Sequence, residues 1–273
     1  DYTGAKIQIM HNNGEFGKML LEAYPHVDRK WLASLEAKII ESSDKIVFVG
    51  KKNRERFIEI HPEASEKAVH VHLGIEPLED IDEPREVNHN DVFTFVSVGT
   101  VCTRKNQRVL LEIARSKEII KPIRFIVVGG GPDLPFCEKL VEKYSLSDCV
   151  EFVGPSNDVA SYLSQADAFI STSYDEGLPT VALEAMSCSL PLVLTDVGGC
   201  SELIKGNGVL VSGCSPADIV AGINTFLDSF SRGEISGEAS LELFQKHYRT
   251  ESMCDEYAGL IKGLIEPHRQ PNT

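Results

Sequence analysis

Short apolar runs rich in β-branched residues alternate with helix-length amphipathic segments along this 273-residue chain, and the alternation occurs twice. Such a pattern predicts βαβ units wound into parallel sheets whose two faces are both covered by helices. The fold class expected is therefore α/β, with two Rossmann-type parallel-sheet domains. In the first stretch, strands are expected at 6–10, 45–49 and 68–72, and helices at 31–42 and 54–60. Three strands are few for a domain of this kind, so the first domain reads as incomplete, the C-terminal portion of a larger one. Residues 76–91 interrupt the pattern, because Pro77 and Pro84 flank an acidic, turn-rich segment suited to a linker. From 92 the alternation restarts, with strands expected at 93–98, 124–128, 150–153, 168–171, 192–195 and 208–211. Helices are expected at 106–116, 134–144, 159–165, 180–188 and 217–230, the last marked by Ile219, Ile223, Phe226 and Phe230 at helical spacing. Two more are expected at 238–247 and 250–264. The division is thus 1–75, a linker at 76–91, a second domain at 92–250, and a closing helix and tail at 251–273.

Charge excludes some functions. Lys and Arg total 27 against 41 acids, a formal net charge of −14. Nucleic-acid binding draws its affinity from neutralised phosphates and needs a dense basic face. The basic clusters here, Lys51-Lys52-Asn53-Arg54 and Arg104-Lys105, are short, and no nucleic-acid partner is expected. Anionic membranes are disfavoured for the same reason, although peripheral contact through a local patch stays open. No run approaches the roughly 18 to 20 apolar residues of a membrane span, and 1–10 lacks the order of a secretory signal. No two of the seven cysteines are separated by two residues, which argues against a zinc knuckle or redox pair. Free buried thiols, mostly in apolar surroundings and in a reducing, cytoplasmic compartment, are expected instead.

The segment that carries chemistry is Ser171-Thr-Ser-Tyr-Asp-Glu-Gly-Leu-Pro-Thr-Val-Ala-Leu-Glu-Ala-Met-Ser-Cys-Ser-Leu-Pro191. A strand ends near Ser171, a loop carries Glu176 and Gly177, and Pro179 stands where a helix can begin. The free N–H groups of that helix start would face whatever lies beyond the strand's carboxyl end, and a diphosphate suits them in geometry and in charge. Glu184 lies inside the helix among Val181, Ala182, Leu183, Ala185 and Met186. A carboxylate in that setting must find donors or take up a proton, and the two hydroxyls of a ribose match its two oxygens. The alternative is a Glu184 that merely faces solvent. Eight positions separate it from Glu176, at most about 12 Å of helical rise, comparable to the reach from ribose past a diphosphate to a hexose.

This segment resembles the Glu-x7-Glu signature of retaining glycosyltransferases of the GT-B fold, especially glycosyltransferase family 4. The likeness continues elsewhere in order. Val96-Ser-Val-Gly-Thr-Val-Cys-Thr-Arg-Lys-Asn106 is similar to the family's opening strand and phosphate-binding Lys loop. Val127-Val-Gly-Gly-Gly-Pro132 is similar to its second strand and Gly-x-Gly-Pro turn, and Val150-Glu-Phe-Val-Gly154 to the strand and loop that hold the base. Asp196-Val-Gly-Gly-Cys-Ser-Glu202, followed by Gly208-Val-Leu-Val211, resembles its Gly-Gly-x-x-Glu segment. The resemblance makes 1–75 part of the acceptor-side domain and 92–250 the domain that binds the nucleotide-sugar donor.

Residue by residue, the resemblance implies that Glu176 binds donor-sugar hydroxyls, Glu184 the ribose, and Lys105 the donor phosphates. Gly177, Leu178 and the neighbours of Pro179 would line sugar and diphosphate with their amides. Gly99, Thr100, Gly130 and Gly154 fall at the corresponding donor-side turns. His11 resembles a strand-end histidine facing the donor sugar, although an ordinary surface histidine fits the residues equally well. Three positions depart from the pattern. Thr100 stands where arginine is common, leaving Arg104 to supply the charge; Ser189 replaces a usual glycine; Cys200 replaces a small residue or proline.

The reaction implied is same-face transfer of a sugar from a UDP- or GDP-linked donor to a saccharide, lipid-linked or protein hydroxyl. The leaving diphosphate would deprotonate the acceptor, with no cofactor and no catalytic metal. Asp80-Ile-Asp82 resembles the metal-binding pair of the other main glycosyltransferase fold but sits in the acidic linker. Gly129-Gly130-Gly131 follows a strand without completing a dinucleotide-binding Gly-x-Gly-x-x-Gly. The remaining alternative is a donor-binding module without turnover, either a fragment or the regulatory half of a two-chain transferase. The place of action expected is the cytoplasm, with the inner face of a membrane left open; the oligomeric state is not written in the residues.

Overall fold

A computed structural model describes residues 5–11, 26–78 and 92–265. Asp80, Asp82 and most of the expected linker lie outside the described residues. Contacts divide the chain into two compact units. The first is drawn from Asp1–Gly74, Glu176–Leu178 and His247–Thr273, the second from Ile75–Asp175 and Pro179–Lys246.

In the first unit the described strands are β1 (Ile7–Met10), β2 (Lys45–Phe48) and β3 (Ala68–His70). They pair in parallel in the order β1-β2-β3, with Ile7 opposite Lys45 and Ile46 opposite Ala68. Helices α1 (Arg29–Ser42) and α2 (Lys51–Ile60) supply the crossovers. Asp28 caps α1 by accepting from the Lys30 N–H at 2.8 Å. A small core of Met10, Ile40, Ile46, Phe48, Phe57, Ala64 and Ala68 holds sheet and helices together. The α2 helix begins three residues before the expected position, and its second buried residue is the polar Asn53.

A titratable cluster closes this unit. His70 meets His72 edge-on at 4.5 Å, and His72 stacks on His247 at 5.4 Å. The His72 ring pairs with Glu256 at 2.7 Å, while its backbone N–H donates to the same carboxylate at 3.0 Å. Burial first, then the nearby His72 and Lys51, lower the His70 pKa to about 4. An unfolded histidine takes up its proton near pH 6.5, so between that pH and 4 the unfolded chain binds a proton that the native state refuses. The stability this ring contributes is therefore complete above about pH 6.5 and lost as the pH falls towards 4. Discounted for partial exposure, the loss is on the order of 1–3 kcal/mol. Thermal melts across pH 4 to 7 check it: His70→Gln is expected to flatten the slope, and parallel curves for the two proteins would refute the assignment.

The second unit holds six strands: β4 (Phe93–Val98), β5 (Ile123–Val128), β6 (Val150–Gly154), β7 (Ala168–Ser171), β8 (Leu192–Thr195) and β9 (Gly208–Val211). All pair in parallel, in the order β6-β5-β4-β7-β8-β9. The chain enters at the centre, steps outward to β6, then returns to β7 and steps outward the other way. β4 and β7 are therefore neighbours whose connections leave in opposite directions, and such a switch point opens a crevice at the strands' carboxyl ends.

Between the strands run α3 (Val109–Ile113), α4 (Leu134–Tyr144), α5 (Val159–Ser164) and α6 (Thr180–Ser187); after β9 come α7 (Pro216–Ser231), α8 (Gly237–His247) and α9 (Thr250–Ile265), the last of which belongs to the first unit. Phe93, Phe95, Phe125 and Phe226 lie at the centre of the core, with neighbouring rings 5.0–5.8 Å apart. Ser215 and Asp218 form a reciprocal capping box at the start of α7, with Pro216 as its first residue. None of the described helices is long and apolar enough to cross a membrane.

Three thiols, Cys137, Cys188 and Cys200, are buried. Burial raises the pKa of Cys137 and of Cys188 to about 11, which keeps both unreactive at neutral pH. The other four depart from the expectation of buried thiols: Cys102, Cys149 and Cys214 are only partly buried, and Cys254 is exposed on α9.

Candidate functional site

The loop after β4 is built around one turn. Thr103–Lys105 form a single 3-10 turn that ends on Asn106 in the left-handed region, φ 54°, a conformation asparagine tolerates better than most residues. The expected helix at 106–116 is accordingly shortened to α3. Asn106 breaks it at the start, and the Gln107 side chain turns back to donate to the Thr100 carbonyl at 3.0 Å. The Thr172 hydroxyl from the β7 loop lies 3.2 Å from the carbonyls of both Lys105 and Asn106. The Tyr174 N–H donates to the Arg104 carbonyl at 2.8 Å. The loops after β4 and β7 are thus sewn together across the switch point.

Lys105 is half-buried. Its side chain runs back over the end of β4, with Cε only 3.8 Å from where a Cβ on Gly99 would stand. Arg104 is exposed and donates through Nη1 to the Asp175 carbonyl at 2.9 Å. That bond makes it a clamp on the loop leading into Glu176. Thr100 is exposed beside this turn.

The floor is glycine. The β4 and β5 loops touch backbone to backbone: the Gly99 N–H donates to the Val128 carbonyl and Val101 N–H to that of Gly130, at 2.9 and 2.8 Å. Gly129 N–H donates to the Gly154 carbonyl at 2.8 Å, which brings the β6 loop to the same edge. A side chain on Gly130 would meet Pro155 at 2.9 Å.

Helix α6 begins at Thr180, as expected, and ends one residue early at Ser187. Pro179 is its N-cap, in extended backbone, and Thr180 its first residue; no side chain caps it and its first turn carries no acid. Ala182, Leu183, Ala185, Met186 and Ser187 are buried, so the helix is covered on most sides. Glu184 in their midst is half-buried, and burial holds its carboxyl above the usual carboxylate range. No donor among the described residues bonds that carboxylate. Ser189, where the family pattern has glycine, does take up a positive φ of 58°, the conformation that makes glycine the easier residue there.

Glu176, Gly177 and Leu178 belong to the first unit. Glu176 and Leu178 are buried, 6% and 7% exposed. The buried Asn53 amide donates to the Gly177 carbonyl at 3.1 Å. Asn53 escapes sequence reading because its run, Lys51-Lys52-Asn53-Arg54, reads as a surface basic cluster, and only its uncharged amide hints otherwise. His11 follows β1 and is exposed. The structure thus gathers Gly99, Thr100, Arg104, Lys105, Gly130, Gly154, Pro179 and Glu184 in the second unit, and Glu176, Gly177, Leu178 and His11 in the first.

The architecture is that of GT-B glycosyltransferases. Sucrose-phosphate synthase from Thermosynechococcus elongatus superposes with a TM-score of 0.76 at 21% identity, over 98% of this chain and 69% of that one. The Anabaena protein HepE, crystallised with UDP and glucose, gives a TM-score of 0.74 at 15% identity, over 95% and 72%. The family model for glycosyl transferases group 1 matches residues 79–234, and the chain belongs to that family. Among curated relatives, a phosphatidylinositol N-acetylglucosaminyltransferase subunit of Arabidopsis thaliana is 35% identical over 49% of this chain and 30% of its own length. The Escherichia coli O-antigen biosynthesis glycosyltransferase WbnH is 36% identical over 47% and 36%. This chain therefore spans about a third of the length of those two relatives.

Proposed function

We propose that this chain is the donor-binding portion of a retaining glycosyltransferase of family 4, which moves a sugar from a nucleoside-diphosphate donor to an acceptor hydroxyl. One observation carries the reading. At the switch point of the second sheet, a lysine is laid back over a glycine strand end, and a half-buried acid inside the next crevice helix has no protein donor among the described residues. Lys105 and the uncapped start of α6 are suited to a diphosphate; Glu184 is suited to the paired hydroxyls of a ribose. By resemblance Glu176 holds hydroxyls of the transferred sugar, His11 faces it, and Arg104 keeps the intervening loop in place. The protein's contribution to chemistry is then positioning, plus stabilisation of the charge on the leaving diphosphate.

UDP is the favoured nucleotide, since HepE carries UDP, and GDP is the second choice. No divalent metal is required in this reading. A lipid-linked acceptor at the cytoplasmic face of a membrane is consistent with relatives named for phosphatidylinositol and O-antigen.

Titration calorimetry with uridine, UMP, UDP and the matching guanosine series, with and without EDTA, tests this. Lys105→Ala is expected to weaken the diphosphates by about 10- to 100-fold, the worth of one charge-assisted contact, and to leave the bare nucleoside unchanged. Equal weakening of nucleoside and diphosphate would remove Lys105 from the phosphates. Binding that disappears with EDTA would overturn the metal-free reading.

A further inference from the structure

The turn that carries Lys105 has a second face, and it borders a cleft of about 640 Å³ within the second unit. Neither Gly99, Lys105 nor Glu184 lines this cleft; its walls include Thr103, Asn106, Arg108, Asp133, Phe136 and Tyr174. Its size is within the roughly 300–1,000 Å³ of small-ligand sites.

The lining has three properties that bear on its occupant. Two aromatic rings stand open to water, Phe136 at 47% and Tyr174 at 52% exposure, although neither is at a chain end. Phe136 is fixed rather than loose, because the Arg108 guanidinium lies 5.0 Å from its ring centroid. Around the rings stand donors and acceptors of both kinds: the Arg108 guanidinium, the Asn106 amide, and the carboxylates of Asp133 and Glu112. Val109 and Pro216 add apolar surface to the lining. One cation against two carboxylates gives a phosphate or other anion no net attraction. A neutral polyol meets the arrangement well: its hydroxyls both donate and accept, and its C–H faces pack on aromatic rings.

We propose that this cleft is a second saccharide site, distinct from the donor site and specific for a neutral mono- or disaccharide. It is coupled to the donor side through the chain itself. Asp133 accepts from the Thr103 hydroxyl at 3.2 Å, and Thr103 opens the turn whose last residue is Lys105. A sugar hydroxyl that binds Asp133 therefore acts on the element that places the donor-side lysine.

Saturation-transfer difference NMR on the full chain tests the proposal. The probes are glucose, galactose, mannose, N-acetylglucosamine, maltose and N,N′-diacetylchitobiose at millimolar concentration, with UDP or GDP in excess. At least one saccharide is expected to show transfer that persists in Glu176→Ala and Glu184→Ala and falls at least fivefold in Phe136→Ala and Asp133→Asn. Phe136 lies open on the first turn of α4, so its truncation leaves the core intact; Asp133→Asn keeps shape and removes only charge. No transfer to any saccharide, or transfer abolished in Glu176→Ala yet retained in Phe136→Ala and Asp133→Asn, overturns the second site. Nucleotide binding, measured separately by thermal shift, is expected to be the same in Phe136→Ala as in the wild type, so that failure of the donor-site reading shows in a different measurement.

Discussion

Glu184→Ala is expected to weaken binding of UDP and GDP by roughly 10- to 150-fold, the equivalent of about 1.5–3 kcal/mol for hydrogen bonds made to a charged group. The same factor is expected for the bare nucleoside, because in the proposed reading this carboxylate holds the ribose. That separates it from Lys105→Ala, which spares the nucleoside. The unliganded protein should respond in the opposite sense. Burial places the Glu184 carboxyl above its ordinary pKa, so the native state holds this proton more tightly than the unfolded chain does. Stability from the group is present at low pH and is lost as the pH rises through the raised pKa. Removing the carboxylate thus removes a penalty at neutral pH, and Glu184→Gln should melt no lower than the wild type without ligand. Affinity for the nucleotide should itself rise with pH across the same titration, since only the ionised form accepts from both hydroxyls. Unchanged nucleoside affinity in Glu184→Ala, measured by calorimetry, removes the ribose from this residue.

How far the residues announce this arrangement depends on how local each cause is. Strands β4, β7, β8 and β9 fall at the expected positions, because each is a short run with almost no polar interruption, stopped by turn residues within one or two positions. Glu184 is conspicuous for a local reason as well, being one acid inside Val-Ala-Leu-Glu-Ala-Met. The differences lie where a distant partner decides. Helix α3 is shorter than its pattern because Asn106 is held by Thr172, 66 positions away. Helix α2 starts early, with Asn53 turned inward to a carbonyl 124 positions on, and no period within Lys51-Lys52-Asn53-Arg54 encodes that bond. Pro179 stands just outside its helix instead of opening it; N-cap and first-turn positions both accept proline, and helix ends carry little signal. The cleft beside Phe136 leaves no trace in the sequence, since its walls come from four separate segments.

The second large effect concerns the floor of the site. Gly129 has φ +142°, and a Cβ there would lie 2.0 Å from the Gly99 carbonyl oxygen. The obstacle is backbone and is not a movable side chain, so Gly129→Ala forces apart the ends of β4 and β5, at the bonds that join Gly99 to Val128 and Gly129 to Gly154. Unfavourable φ alone costs about 1–3 kcal/mol, and with the displaced strand end the expected loss is about 3–5 kcal/mol. For a unit of this size that is a fall of roughly 6–20 °C in the melting of the second unit. Gly233→Ala is the control: its φ is +70°, yet nothing lies within 4 Å of the added Cβ, so only the strain is felt, about 1 kcal/mol. Function should follow the geometry. Since Lys105 passes over Gly99, whatever fraction of Gly129→Ala remains folded should bind diphosphates as poorly as Lys105→Ala does, while Gly233→Ala binds them normally. If Gly129→Ala melts with Gly233→Ala and keeps full diphosphate affinity, the close approach of the two loops does not shape the phosphate site.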